Sequence, residues 1–288
     1  MSVNGPIAGL SGVVITLNEE EHIAECLAGL TAICDEVLVL DSGSTDRTRE
    51  ICESYRNVRF ETHAFDGFQQ QKNRAMAMAQ GPWILCLDAD ERITAELQGS
   101  VRSFLGASPA PHILGAKFIR LTYHMGDFIR YSGWRHYRYR LVRKGLTEWR
   151  GVQGYDLHEL LYPIDPPQWS RRLGVALPGE IIHYSRTDLS DQVNTMNTFS
   201  SIYAFIRYRR GKRRFLLRML YKPLTRFLEM YFVKGGILDG MRGFIIAVTS
   251  SYAVFLRWAK LYELSRLELV EPSNLPRYLQ RANQQNKT

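Results

Sequence analysis

Four short apolar runs, each followed by a stretch of helical spacing, fill the first ninety or so residues. Gly12-Val13-Val14-Ile15-Thr16-Leu17 is β-branched, Glu36-Val37-Leu38-Val39-Leu40 and Trp83-Ile84-Leu85-Cys86-Leu87 are almost wholly apolar, and Val58-Arg59-Phe60-Glu61-Thr62 alternates. Unbroken runs of this length read as strands buried on both faces. After the first run, Asn18 precedes Glu19, Glu20 and Glu21, which predicts a helix capped by Asn18 with acids in its first turn. Ile23, Leu27 and Leu30 give that helix an apolar stripe, and Thr48, Ile51, Cys52 and Tyr55 mark the next one. A third helix, Gln69 to Gln80, stops at Gly81-Pro82. Strand and helix alternating in this way predict a parallel sheet covered by helices.

The pattern then changes twice. Ala116 to Tyr123 and Tyr139 to Arg143 read as strands, with a loop rich in Gly, Tyr and Arg between them. From about residue 190 the spacing is helical and basic. Arg214, Arg218, Lys222 and Arg226 recur every four residues, opposite Leu217, Leu220, Tyr221, Leu224, Phe227, Leu228 and Tyr231. Pro223 inside this stretch predicts a kink or break. Lys234 to Gly240 reads as a tight turn and Met241 to Leu264 as a further apolar helix, with a frayed tail from Asn283. The chain is therefore expected to divide into an α/β domain over 1–190 and a basic amphipathic helical region over 191–288.

Composition adds one asymmetry. The 288 residues are 45% hydrophobic and 23% charged, as in an ordinary globular protein. From residue 200 onward there are 17 Lys/Arg against 5 Asp/Glu, whereas residues 1–199 hold 20 against 24. A split of this kind points the C-terminal region at an anionic surface, membrane or nucleic acid. Cys26, Cys34, Cys52 and Cys86 are scattered in apolar stretches, which suits structural cysteines in a reducing cytosol better than disulfides or a zinc site. The N-terminus lacks the pattern of a signal peptide. The longest apolar stretch, Phe244 to Leu256, falls short of the ~18–20 residues of a spanning helix, so a soluble or peripheral protein is expected.

Ligands of parallel α/β sheets sit outside the carboxyl ends of the strands, and the polar residues gather there: Asn18, Asp41, Asp88 and Asp90. Side chains two apart in a strand share a face, so Asp88 and Asp90 are placed to converge on one cation or ligand, although aspartate-rich turns also follow strands with no such role. Neither a Gly-x-Gly-x-x-Gly after the first strand nor a P-loop is present, which disfavours a dinucleotide-binding dehydrogenase or a P-loop nucleotidase.

Four of these stretches together resemble glycosyltransferase family 2, an inverting family with the GT-A fold: Val14-Ile15-Thr16-Leu17-Asn18-Glu19-Glu20, Val39-Leu40-Asp41-Ser42-Gly43-Ser44-Thr45-Asp46, Lys72-Asn73-Arg74-Ala75 and Leu87-Asp88-Ala89-Asp90. Leu157-His158-Glu159, Ile182-His183-Tyr184 and Lys234-Gly235-Gly236-Ile237-Leu238-Asp239-Gly240 look like the lipopolysaccharide inner-core β-1,4-glucosyltransferases within that family. The resemblance implies an α/β GT-A fold, Rossmann-like, with the C-terminal amphipathic helices as an appendage. It implies a nucleotide-sugar donor, a UDP-sugar, and Mg²⁺ or Mn²⁺. Asp90 would hold the metal, with Asp88 on the ribose or the metal's water shell and His183 as a third ligand. Thr16, Leu17, Asn18, Glu20, Asp41, Lys72, Asp88 and Ala89 would border the nucleotide.

Glu159 would be the general base on the acceptor hydroxyl, with Asp156 the second candidate. Each has a plainer reading: helix capping for Asp41 and Asp46, a first-turn acid for Glu20, a surface acid beside a buried His158 for Glu159, and a hydrogen-bonded core residue for His183. The aromatic and cationic run Arg130 to Arg140 suits sugar stacking, a phosphate-bearing glycolipid or single-stranded nucleic acid as well as an ordinary hairpin. The expected acceptor is a lipid-linked glycan such as lipopolysaccharide core. The basic helices are expected to lie on an anionic membrane surface, the cytoplasmic face of the inner membrane. Two rivals stand beside this reading. A sugar-phosphate nucleotidyltransferase would carry a Gly-rich basic loop where Asn18-Glu19-Glu20-Glu21 stands. A non-enzymatic basic nucleic-acid-binding protein would line a groove with cations.

Overall fold

A computed structural model of the chain describes residues 5–151, 159–165, 174–184, 188–211 and 215–266. The chain forms two compact units, one from Met1–Leu121 with His136–Tyr184, the other from Thr122–Arg135 with Ser185–Thr288. Residues 122–135, read from sequence as part of the α/β domain, thus group with the C-terminal helices.

The first unit is built on the four expected strands, β1 (Ile7–Thr16), β2 (Cys34–Asp41), β3 (Val58–Thr62) and β4 (Trp83–Asp88), all parallel. The strands alternate with α1 (Ile23–Thr31), α2 (Thr48–Glu53) and α3 (Phe68–Met78). Beyond β4 come β5 (Glu91–Ile93), α4 (Ala95–Gly106), β6 (Gly115–His124) and, after β7 (Asp127–Ile129) of the second unit, β8 (His136–Arg143). A separate hairpin pairs β9 (Thr147–Arg150) with β10 (Leu160–Pro163), and β11 (Gly174–His183) returns to the main sheet. Sheet order is β3-β2-β1-β4-β8-β6-β11-β5, with β7 paired to β6. The chain steps outward from β1 through β2 to β3, then starts again on the other side of β1 with β4. Such a reversal leaves a crevice at the carboxyl ends of β1 and β4.

The period of two in each strand decides which side of the sheet a residue serves. Val14, Val37, Val39, Leu85 and Leu87 pack with Ile23, Leu27 and Leu30 of α1 and Leu97 and Val101 of α4. Their neighbours Val13, Leu38, Leu40, Ile84 and Cys86 join Ala75 and Met76 of α3 in a second core. Both faces are covered, which is why these strands read as unbroken apolar runs. All four cysteines are free and buried. Gly81 is fixed by close approach: a Cβ there would lie 2.4 Å from the carbonyl oxygen of Gly9.

In the second unit, α5 (Leu189–Arg209), α6 (Leu216–Leu228), a π-turn over Glu229–Val233, a 3-10 turn over Gly236–Asp239 and α7 (Gly240–Arg266) follow one another. Ala204, Trp258, Leu261 and Leu264 form one core, and Ile129, Met230, Ile246 and Ala247 another. Of the kink or break expected at Pro223, the break does not occur. The helix runs through it, and the Pro223 carbonyl accepts a 2.6 Å hydrogen bond from Ser251 Oγ of α7. The expected tight turn is explained by Gly235 at φ +69° and by Gly236, where a Cβ would meet the Met230 carbonyl oxygen at 2.6 Å. Asp239 then ties the turn down by accepting from the backbone of Arg130 and Tyr131 and, at 2.7 Å, from Ser132 Oγ. From Gly236 to Arg266 the chain is long and apolar enough to cross a bilayer by length and composition, and 39% of the apolar window is buried within the protein.

Candidate active site

The loops after β1 and β2 are stitched together. Asn18 does not cap α1, which begins at Ile23 after His22. It adopts a left-handed φ of +54°, which asparagine tolerates better than most residues. Its side-chain oxygen accepts from Thr45 N at 2.8 Å, and its own N–H donates to Ser44 Oγ at 2.8 Å. The Glu20 carboxylate accepts from Arg47 N at 2.9 Å. Asp41, buried at the end of β2, accepts from the backbone of Gly43 and Ser44 and from Ser44 Oγ at 2.5 Å. Asp46, just ahead of α2, accepts from Thr48 N at 3.0 Å. These side chains hold the rim in shape. Thr16 is buried beside it and Leu17 is exposed.

At the end of β4 the two aspartates part company. Asp88 is the last strand residue and Ala89-Asp90 already turn, so the strand period no longer aligns their side chains. Asp88 Oδ1 meets Lys72 Nζ of α3 at 2.8 Å and Asp88 Oδ2 meets an Arg140 nitrogen at 2.7 Å. Asp90 Oδ2 instead lies 3.1 Å from His183 Nε2, with His183 placed opposite Glu91 by the β11–β5 pairing. Asp88 therefore does not join Asp90 and His183 in one ligand set. Ala89 is buried between the two aspartates in the chain.

The chain brings Glu159, next to the β10 hairpin strand, to the same lysine: its carboxylate is 2.8 Å from Lys72 Nζ. Asp156 lies outside the described residues. Trp149 of β9 forms a wall, with Lys72 Nζ 4.6 Å and the Arg140 guanidinium carbon 5.4 Å from its ring centre. Trp149 is held in turn by Asn73, whose side-chain oxygen accepts from Trp149 N at 2.7 Å and whose amide donates to Trp149 O at 2.9 Å. A small pocket at the crevice is lined by Val13, Ile15, Lys72, Cys86, Asp88 and Trp149, among others.

Three further residues around the site were not among the candidates read from the sequence. Glu91 is fully buried, accepts from Asp88 N at 3.1 Å, and meets Arg140 at 2.6 Å and Arg120 Nε at 2.7 Å. Arg140 sits on a β-bulge: Ala116 faces Leu141 and Lys117 faces Tyr139, so Arg140 is the residue left over. Bulges re-aim side chains near sites, and this one delivers a buried guanidinium to two carboxylates. Glu19 is half-buried in the loop after β1.

Charge is balanced tightly. Burial opposes the Asp88 carboxylate, but Arg140 and Lys72 outweigh it and hold its pKa well below the usual range. Burial likewise opposes the Lys72 ammonium, while Asp88 and Glu159 raise its pKa. Arg138, two residues before the bulge residue, is pushed down to about 10 by burial and then by Arg120 and Arg140. Glu19 is pushed up to about 7 by burial, then by Asp90, Asp46 and Asp88.

Such a centre is short of anion on one side and of cation on the other. Lys72, Arg138, Arg140 and Arg120 suit the oxygens of a diphosphate. Asp90 and Glu19 mark an acidic pole. Among the described residues no three His, Cys, Asp or Glu side chains gather as a complete metal cage. Asp90 and His183 nevertheless offer one oxygen and one imidazole donor together, and His183 Nδ1 is buried with no hydrogen-bond partner among the described residues. That pair fits a divalent cation whose other ligands come from a diphosphate and water.

The profile of glycosyl transferase family 2 matches residues 11–141. The lipopolysaccharide core biosynthesis glycosyltransferase LpsC of Rhizobium meliloti is 31% identical over 268 residues, covering 91% of this chain and 95% of that one. An uncharacterized glycosyltransferase of Rickettsia typhi is 28% identical over 89% of this chain and 87% of its own. Among solved structures, Staphylococcus aureus TarS 1-349 in complex with UDP-GlcNAc covers 89% of this chain and 91% of its own at 16% identity and a TM-score of 0.43. Glucosyl-3-phosphoglycerate synthase of Mycobacterium tuberculosis in complex with Mn²⁺, UDP and glucosyl-3-phosphoglycerate covers 74% of this chain and 82% of its own at 17% identity and a TM-score of 0.41. The chain belongs to glycosyltransferase family 2. Its mixed sheet flanked by helices is the GT-A fold expected of that family, with a C-terminal helical appendage.

Proposed function

We propose that the protein is an inverting, metal-dependent glycosyltransferase that moves a hexose, glucose from UDP-glucose being the first candidate, onto a lipid-linked glycan such as lipopolysaccharide core. One observation carries the site: Glu159, 87 residues from Lys72 in sequence, meets the same ammonium as Asp88 at the end of β4. In this reading the carboxylate serves the acceptor hydroxyl and the ammonium beside it serves the departing diphosphate.

In this reading Thr16, Leu17, Asn18 and Asp41 border the base, and Asp88-Ala89 the ribose. Glu20 acts through the rim it stitches. Asp90 and His183 hold Mg²⁺ or Mn²⁺, which when bound supplies Lewis-acid stabilisation of the charge developing on the diphosphate. Lys72 and Arg138 take up the remaining phosphate charge. As Lys72 turns to the diphosphate, Glu159 is released to accept the proton of the attacking hydroxyl, and Trp149 keeps water from one side of the pair. A good leaving group needs no second acid, and back-side attack inverts the anomeric centre.

The LpsC relative supports a core glycan acceptor. The exposed Leu216, Leu217, Leu220 and Leu224 of α6, interleaved with Arg218 and Lys222, support peripheral attachment to the cytoplasmic face of an anionic inner membrane. The test is transfer from a panel of UDP-sugars to core glycolipid isolated from a strain lacking this gene, with and without EDTA, and with the product anomer read by NMR. Asp90→Ala that keeps full metal-dependent transfer overturns the site. A product with the donor's own anomeric configuration overturns inversion.

A further inference from the structure

Within the helical unit, three arginines from three helices meet on aromatic faces. Arg207 of α5 and Arg218 of α6 both stand over Trp258 of α7, their guanidinium carbons 4.7 and 5.3 Å from its ring centre. Arg257, the residue before Trp258, lies 4.6 Å over the ring of Tyr203 on α5. All three are half-buried. None forms an ion pair among the described residues, in contrast to Arg226 nearby, which is paired with Glu229 at 3.0 Å. Arg257 Nε is buried with no hydrogen-bond partner among the described residues.

Stacking an arginine on a tryptophan is common packing, and one such contact would need no further explanation. Three are costly because Arg207 is repelled by Arg218, and Arg257 by Arg207. Burial and then Arg218 push Arg207 below its ordinary value, and Arg257 is pushed down by burial, with Arg226 and Arg207 adding to it. Carboxylates elsewhere in this protein neutralise buried arginines, as Asp88 and Glu91 do for Arg140. The missing counter-charge is the signature of an anion that comes from outside, and guanidinium forks match the oxygens of a phosphate.

The neighbouring surface says what kind of phosphate. Leu217 and Leu220 flank Arg218 on α6 and are 77% and 73% exposed, with Leu224 following at 61%. No residue of α6 is buried. A small soluble phosphate has no use for this apolar face, whereas acyl chains do. We propose that Arg207, Arg218 and Arg257 bind the phosphomonoester of an anionic lipid headgroup, with its acyl chains lying along Leu217, Leu220 and Leu224. A dianionic monoester answers three clustered guanidinium groups better than the single charge of a phosphodiester. The inference rests on the membrane attachment proposed above.

Two measurements on the full chain separate the two ideas. The first follows thermal stabilisation by monomeric dihexanoyl phosphatidic acid, dihexanoyl phosphatidylglycerol and inorganic phosphate. The second follows sedimentation with phosphatidylcholine vesicles carrying phosphatidic acid or phosphatidylglycerol at matched charge. The expected result is a preference of about tenfold or more for phosphatidic acid in both, the scale of one or more charge-assisted hydrogen bonds. That preference should disappear in R207Q/R257Q, which should still sediment with phosphatidylglycerol vesicles. R218K, which keeps the charge and loses the fork, should weaken the preference in a chain with an unchanged melting profile. Equal binding of the two lipids by the native protein overturns the site, as does a preference that survives in folded R207Q/R257Q and R218K, or inorganic phosphate that stabilises as well as phosphatidic acid. Discrimination between the short-chain lipids without vesicle binding overturns membrane attachment and leaves the phosphate site standing.

Discussion

Arg140 reaches Asp88 at 2.7 Å from a bulge in the neighbouring strand, and the same nitrogen meets the fully buried Glu91 at 2.6 Å. One cation thus fixes both the last residue of β4 and the first residue of β5. Arg140→Met should therefore destabilise the fold by about 3–5 kcal/mol, the cost of stranding a buried partner charge, as read by chemical denaturation. Arg140→Lys should cost less, because a single ammonium keeps the charge and loses the fork. The Asp88 pKa is depressed in the folded protein, so its contribution is complete above about pH 4, its unfolded value, and is lost as pH falls through the lower folded one. Acid unfolding should accordingly be less steep in Arg140→Met than in the native protein.

Glu159 and Lys72 should separate by their kinetics. Glu159→Gln should lower transfer on the order of 10²–10⁴-fold, the usual range for a positioned base, with the affinity for UDP little changed. Lys72→Met should raise the dissociation constant for the intact donor as well as slow transfer, because its ammonium answers the diphosphate. Single-turnover transfer alongside calorimetric titration with UDP distinguishes the two patterns. A Glu159→Gln protein that transfers at the native rate removes this residue from the reaction.

The parts of the site that follow local rules were legible in the sequence. Unbroken apolar runs gave β1, β2 and β4, and Asp41 and Asp88 fell at their carboxyl ends because strand length and turn chemistry are written locally. The rest depends on pairing across long stretches. Arg140 is the leftover residue of a register shift between β6 and β8, which only the three-dimensional pairing of Ala116 and Lys117 exposes. Glu91 carries no local signal of burial, yet it is fully buried, its partner Arg140 49 residues away. Asn18 had every mark of a helix cap, yet the loop after β2 competes for its side chain through Thr45. Pro223 was expected to kink or break its helix, and the helix runs through it unbroken.

Asp90 and His183 meet at 3.1 Å across the β5–β11 pairing. Replacing His183 with Gln should raise the Mn²⁺ concentration for half-maximal transfer by about 10–100-fold, whether the imidazole binds the ion or orients Asp90. Affinity for UDP in EDTA should not move. Metal titrations of donor hydrolysis read the first quantity, and calorimetric titration with UDP reads the second.

Glu19 makes the pH dependence of the empty protein run the opposite way from Asp88. Its carboxyl is pushed up to about 7 by burial, then by Asp90, Asp46 and Asp88. A carboxyl raised on folding binds its proton more tightly in the folded state, so stability must fall as pH rises from the unfolded value near 4.5 through 7. Glu19→Gln removes that penalty. The variant should melt higher than the native protein at pH 8 and at about the same temperature at pH 4.5, where the native carboxyl is protonated in the folded state. Adding Mg²⁺ with UDP should narrow the difference at pH 8, since a cation beside Asp90 offsets the repulsion that raises Glu19. A melting difference that is the same at pH 4.5 and pH 8 would mean that Glu19 acts through packing rather than charge.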